Sequence, residues 1–358
     1  SLREGRRLAA LADTLVVDGI GGSALGALAL QTALRPRGRR LVIFDNVDPE
    51  GVQARLATLD PQRTAVNAVT KSGSTAETMA NLLVLLEWME KRGGASHLQR
   101  WCATTDPEKG DLLVLARRLG LPVLQVPANV GGRFSVLTPV GLLPAAFLGL
   151  DVEALLAGAR DMRRHCWAAA PERNVGVLGA VLLHQMAVRR GRSIQVVMPY
   201  CEALLHMADW YRQLWAESLG KRLDRRGRVV ETGQTPVVAL GATDQHSQVQ
   251  LYVEGPHDKV VTFWEVSAFR EDVAIPRLHG DLASTAYLGG RTLGELLLAE
   301  KKGTEVALTR AGRPSFTYLL PRLSEHVLGQ LFYLFEFQTA LSGELYGIDA
   351  FDQPGVEG

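Results

Sequence analysis

The sequence predicts an α/β protein of two doubly wound units, each built on a mainly parallel sheet, followed by a C-terminal helix and tail. Three observations lead there. Short apolar runs alternate with helical patterns of about a dozen residues, a rhythm that implies parallel strands joined by right-handed crossovers. The rhythm breaks near residue 150 and then resumes. A chain of 358 residues is also too long for one small core. The expected division is 1–150, 151–325, and a helix with tail over 326–358.

The chain opens with a few turns of helix. Buried strands are then expected at 14–17, 41–44, 64–69, 100–103 and 123–126, where apolar runs are bounded by turn or helix patterns. Residues 79–89 carry leucines at helical spacing. The two glycines of 131–138 interrupt the alternation, and Pro139, Pro144 and the residues to Leu156 read as a helical connection. In the second unit, helices are expected at 175–188 and 203–219, strands at 193–198, 236–240, 260–266 and 316–320, and a helix start at 245–251. A long apolar helix from 324 to about 341 precedes a turn-rich tail. No sequence repeat relates the halves.

Composition narrows the function classes. At 47% hydrophobic and 22% charged, with net charge +1, the chain has no field suited to nucleic acid or a membrane surface. No apolar run reaches a membrane span and no signal segment opens the chain, so a cytoplasmic protein is expected. Cys102, Cys166 and Cys201 are odd in number and widely spaced, which fits buried thiols in a reducing compartment.

The most informative stretch is Thr70-Lys-Ser-Gly-Ser-Thr-Ala-Glu-Thr, set between a strand and a helix. It presents backbone N–H groups, a positive dipole end and five hydroxyls (Thr70, Ser72, Ser74, Thr75, Thr78) to one point, with Lys71 beside them, as a phosphate requires. A capping box would need only one of those hydroxyls. Gly19-Ile-Gly-Gly-Ser-Ala-Leu-Gly closes the first strand. Gly19, Gly21 and Ala24 match part of the dinucleotide fingerprint, with Asp45 at the end of the next strand; glycines needed for packing alone explain it equally well.

Gln213 and Glu217 lie four apart on one helix face, and Gly220 is expected to end that helix as a C′ glycine. Glu217 in the last turn sits against the dipole, a setting compatible with a general base, although an i,i+4 pair with Lys221 is the better reading of spacing alone. His246, in Gly-Ala-Thr-Asp-Gln-His-Ser-Gln after a buried strand, is the best placed of the histidines for chemistry, and none stands beside it at metal spacing. Arg133, in Gly131-Gly-Arg-Phe-Ser, either holds an anion or caps a strand.

Taken in order, these segments resemble the phosphoglucose isomerase family. The 19–26 loop is similar to that family's G-I-G-G-S-x-L-G, the 70–78 loop to its phosphate loop, and 131–135 to its G-G-R-[FY]-S. Trp215-Ala-Glu-Ser-Leu-Gly-Lys, the His246 segment and Asp352-Gln-Pro-Gly-Val-Glu follow the bacterial forms. The resemblance covers nearly the whole chain.

It implies two sugar-isomerase (SIS) domains that interconvert glucose 6-phosphate and fructose 6-phosphate in glycolysis and gluconeogenesis, with no metal or nucleotide. By position it implies that Thr70, Lys71, Ser72, Ser74, Thr75 and Thr78 hold the phosphate and that Gly22 and Ser23 line the sugar. Gln213 and Gln353 would contact substrate, Glu217 would be the base, His246 would assist ring opening, and Arg133 would stabilise the intermediate's charge. A homodimer with a shared site is implied as well. Two departures stand out: Thr70 replaces a usual serine, and the family's Gly-Lys beyond Val-Glu is absent, so the chain reads as truncated at both ends. Three rival readings remain at this stage. They are a dual-specificity phosphoglucose/phosphomannose isomerase, a sugar-phosphate-binding regulator without Glu217 and His246 chemistry, and an NAD enzyme resting on the Gly19 to Asp45 pattern.

Overall fold

The computed structural model describes residues 1–356; Glu357 and Gly358, the end of the expected tail, lie outside the described residues. Helix α1 (Leu2–Leu11) precedes β1 (Thr14–Asp18), α2 (Leu25–Leu34), β2 (Arg40–Phe44), α3 (Pro49–Ala57) and β3 (Thr64–Thr70). Next come α4 (Ala76–Arg92), β4 (Trp101–Thr105), α5 (Asp111–Arg118), β5 (Val123–Gln125) and α6 (Pro139–Leu148). The five strands form a parallel sheet in the order β2-β1-β3-β4-β5.

Strands β1, β3 and β4 are buried at every residue, so both of their faces are apolar. Leu15 and Val17 pack on one face with Leu8 of α1 and Phe147 of α6. Val16 and Val66 turn to the other, against Leu85, Trp88 and Met89 of α4. This is the period of two that a pleated strand imposes.

The chain continues through α7 (Val152–Ala168), α8 (Val175–Arg190), β6 (Ile194–Pro199), α9 (Leu205–Leu219), β7 (Lys221–Leu223), β8 (Val229–Thr232) and β9 (Thr235–Val238). It ends with α10 (Val249–Glu254), β10 (Lys259–Val266), α11 (Ala283–Ala286), α12 (Leu293–Arg310), β11 (Ser315–Leu320) and α13 (Glu325–Tyr346). A second parallel sheet runs β11-β10-β6-β9, and β7 with β8 forms a separate antiparallel pair. One face of this sheet carries α10 and α12 over Met198, Tyr200 and Phe263. On the other, Tyr211 and Trp215 of α9, Trp264 of β10 and Phe335 of α13 form a run of ring contacts with centroids 4.8–5.9 Å apart. Helix α13 also lies against α7 at near-backbone distance: a Cβ on Gly329 would stand 1.9 Å from the Leu155 carbonyl oxygen, and one on Gly158 would stand 1.8 Å from that of His326.

The α/β class and the parallel sheets agree with the sequence reading; several elements differ in extent. The helical connection after Pro139 is two helices, α6 and α7, parted at Gly149 in the left-handed conformation (φ 79°). Helix α13 runs past residue 341 to Tyr346, where Gly347 (φ 70°) closes it. The stretch 203–219 opens as a 3-10 turn, Glu202–Leu204, before α9, and the helix start at 245–251 is a 3-10 turn, Thr243–His246, followed by α10. Gly220 follows α9 but is not a left-handed cap: its φ is −72°, and a Cβ there would stand 2.9 Å from the Ala216 carbonyl oxygen. The three cysteines are free and buried. Among the described residues, no helix is long and apolar enough to cross a membrane.

Candidate active site

The carboxyl ends of β1, β3 and β4 face α9 and the C-terminal tail across a cavity of about 730 Å³. Ile20, Gly22 and Ser23 supply one wall from the turn after β1. That turn must be glycine-rich because a Cβ on Gly22 would lie 2.3 Å from the carbonyl of Gly132, and one on Gly21 would lie 2.8 Å from Nε2 of Gln213. The glycines therefore serve close approach between the 19–23 and 131–133 loops, while Asp45 pairs with Arg55 at 3.6 Å on the exterior.

The loop after β3 is a cluster of hydroxyls. Thr70 Oγ1 lies 2.9 Å from Thr75 Oγ1 and 3.2 Å from Ser72 Oγ, and Ser72 and Thr75 are 3.3 Å apart. Thr75 is the N-cap residue of α4, yet its side chain makes no cap hydrogen bond. The simple capping reading is thus not realised: the hydroxyls bond one another and the first turn's donors remain for something else. Lys71 donates from Nζ to the Ala128 carbonyl at 2.8 Å. Thr70, Lys71, Ser72 and Thr75 line the cavity, whereas Ser74 is exposed beside it and Thr78 is buried in the first turn of α4.

Glu217 and Gln213 face the same space from α9. Gln213 donates from Nε2 to Glu217 Oε2 at 3.0 Å, and the Arg133 guanidinium lies 3.6 Å from Glu217 Oε1. The i,i+4 pair between Glu217 and Lys221 does not form. Helix α9 stops at Leu219, so Lys221 falls on β7 and donates instead to the backbone carbonyls of Glu217, Ser218 and Asp352 at 2.9, 2.9 and 3.0 Å. Burial first, and then the charge of Arg133, hold the Lys221 ammonium below its ordinary pKa.

Arg133 is 3% exposed and organises this wall. Its Nε donates to Ser218 Oγ at 2.7 Å, Nη1 to Gln353 Oε1 at 3.0 Å, and Nη2 to the carbonyls of Ala350 and Asp352, both at 2.8 Å. It is both the cation nearest Glu217 and the clamp that brings Gln353 to the cavity. The Phe351 and Phe134 rings, 5.2 Å apart, close the outer edge.

Of the residues singled out from sequence, the cavity gathers Gly22, Ser23, Thr70, Lys71, Ser72, Thr75, Arg133, Gln213, Glu217 and Gln353. His246 is not among them; it stands exposed on the turn after β9. The sequence reading missed Asp106, Glu108 and Lys109, which line the cavity from the loop after β4. There Asp106 Oδ1 accepts from the N–H groups of Glu108 and Lys109 at 2.9 and 3.2 Å. The Asp106-Pro107 pair at a strand's carboxyl end was the available signal. Among the described residues, no group of three or more His, Cys, Asp or Glu could hold a metal ion.

The chain is similar to known proteins along nearly its whole length. A model of the phosphoglucose isomerase family matches residues 4–358. A protein of Carboxydothermus hydrogenoformans named glucose-6-phosphate isomerase is 49% identical over 353 residues, 96% of this chain and 76% of that protein. The crystal structure of a hypothetical protein from Thermus thermophilus superposes with TM-score 0.93 at 46% identity, covering 99% of this chain and 85% of that one. A glucose-6-phosphate isomerase structure from Chlamydia trachomatis gives TM-score 0.87 at 26% identity, covering 99% and 71%.

Proposed function

The chain belongs to the phosphoglucose isomerase family, and from that premise we propose that it interconverts glucose 6-phosphate and fructose 6-phosphate with Glu217 as the base. One observation carries the assignment of roles: a half-buried carboxylate, Glu217, shares a single cavity with a buried guanidinium 3.6 Å away and with the Thr70, Ser72 and Thr75 hydroxyls.

The open-chain sugar phosphate has an acidified C–H beside its carbonyl. Glu217 takes the proton from C2, leaving a cis-enediol, and returns it to C1; the reverse sequence converts the ketose. Positioned proton transfer of this kind contributes about 10²–10⁴-fold. Gln213 holds the carboxylate through Oε2, and Arg133 lowers the energy of the enediolate from the same side. The phosphate, which does not react, is held by the 70–75 hydroxyls and Lys71 and so orients the carbons that do. Thr78, buried in the first turn of α4, supports that loop from behind, and Ser74 reaches the phosphate from its exposed place on the loop.

His246 acts in ring opening from a second subunit, in a homodimer whose two sites each borrow one histidine; its exposed position outside its own chain's cavity supports this arrangement. The test of the base is Glu217→Gln, which keeps the shape and removes the basicity. Isomerisation of fructose 6-phosphate and solvent-hydrogen exchange at C1 and C2 are both expected to collapse while substrate still binds. Exchange at the parental rate would reduce Glu217 to a structural role.

A further inference from the structure

The second sheet has the strand order of the first seen from the opposite edge: β9-β6-β10-β11 beside β2-β1-β3-β4. In each, the chain winds to one side of its first strand and then returns to the other. The crevice created by that reversal lies between β1 and β3 in the first sheet, where the Glu217 cavity stands, and between β6 and β10 in the second. The loops after β6 and β10 part there around a cavity of about 660 Å³, within the usual size of a small-molecule site.

Its floor is apolar, formed by Ala203, Val266, Phe269, Leu297 and Leu323. Its rim is cationic where the chain leaves α2. Arg35 reaches Glu202 only at 3.4 Å and Arg37 reaches Glu271 only at 3.3 Å, and all four side chains are more than half exposed, so both pairs exchange readily with solvent or ligand. The other charged groups of the loop are committed. Arg270 donates to the carbonyls of Leu34 and Ala33 at 2.9 and 2.6 Å, which closes α2 and fixes the mouth; Asp272 accepts from the Gly294 N–H at 2.9 Å and caps α12.

Arg35 itself is held in the left-handed conformation, φ 48°, at the C-cap of α2, where glycine or asparagine is the unstrained choice. A strained residue kept for its side chain points to use of that side chain. We propose that this crevice is a second small-molecule site, which takes an anion with a compact apolar body: the body covers the floor and the Arg35 and Arg37 guanidinium groups hold the anionic end in place of Glu202 and Glu271.

The probe for the test is 8-anilinonaphthalene-1-sulfonate, an aromatic anion that fluoresces in apolar surroundings, titrated into the full chain with fructose 6-phosphate at saturation. One saturable site per chain is expected. Leu293→Trp, at the mouth, should abolish it with isomerase activity retained. Arg35→Gly should weaken binding at least fivefold and yet raise Tm by about 2 °C, because glycine relieves the backbone strain. A residue kept only for structure would not show both changes. A signal that fructose 6-phosphate removes, that does not saturate at one per chain, or that both variants leave unchanged overturns the proposal. So does a Leu293→Trp chain whose only change is in oligomeric mass, since the face would then belong to a second copy.

Discussion

Single side chains decide how the substrate is held and how the fold responds to pH. Thr70, Ser72 and Thr75 bond one another, and under the proposed function a phosphate oxygen would replace those neutral bonds with stronger charge-assisted ones. Each such bond is worth roughly 1.5–3 kcal/mol. Ser72→Ala and Thr75→Ala are therefore expected to raise KM for fructose 6-phosphate by about tenfold or more, and to lower kcat as well because the held phosphate orients the reacting carbons. An unchanged KM in steady-state kinetics would remove the loop from phosphate binding. Asp18, wholly buried at the end of β1, has its carboxyl pushed up to about 8 by burial, with the Asn81 side chain opposing in part. Between its ordinary value of 3.8 and that raised one, the native chain keeps a proton that the unfolded chain has released. Its contribution to stability is thus full below the unfolded pKa and is lost as pH rises through the folded one. Asp18→Asn should remove this loss, so the variant's Tm should exceed the parent's by several degrees near pH 9 and converge with it near pH 4, roughly the bounds of that window. Parallel Tm curves across the range would contradict the assignment.

At the scale of elements, the tail is held by two buried cations and not by packing alone. Lys221 and Arg133 both donate to the Asp352 carbonyl, and Lys221 closes the last turn of α9 at the same time. Lys221→Met removes this donor from the Glu217 and Ser218 carbonyls and leaves the Asp352 carbonyl to Arg133 alone, at a cost of about 1–3 kcal/mol for each carbonyl that stays buried and unpaired. The variant is expected to keep its far-UV CD, lose kcat/KM at least tenfold, and be cut first between residues 346 and 356 in limited proteolysis. A tail as resistant as the parent's would place the clamp on Arg133 alone. How far such elements can be read from sequence follows from what they bury. Strands β1, β3 and β4 are apolar on both faces, so their runs stand out to within a residue or two. The β7–β8 pair has mostly exposed side chains around a turn organised by Asp224, and no apolar period announces it. Helix α12 did carry a signal, the capping box of Thr292 and Glu295, which outlines its start. The glycine loop was legible because close backbone approach restricts the residue types, and the 70–75 loop because it gathers hydroxyls at the carboxyl end of a strand. Asp106 to Lys109 contribute by position at the end of β4, and Lys221 by where α9 happens to stop; neither is a matter of composition.

On the scale of the whole molecule, the exposed His246 and the enclosed Glu217 make a subunit-mixing experiment decisive. Full chains carrying Glu217→Gln and His246→Ala are each expected to be nearly inactive. After subunit exchange, one site of a mixed dimer holds both lesions and the other holds neither, so random mixing should restore roughly a quarter of parental activity. With exchange verified by mass, absence of recovery would put both residues in one chain's site. The bonds around Arg133 carry a further consequence, one of timing. They join residues 85, 217, 219 and 220 positions apart along the chain. Contacts of such separation are rewarded only after long loops have closed, and so form late. During refolding from denaturant, helical CD should return well before turnover does, and a slow final phase should be visible in activity alone. The guanidinium beside Glu217 is thus also the last latch to engage, and turnover becomes a readout of completed folding.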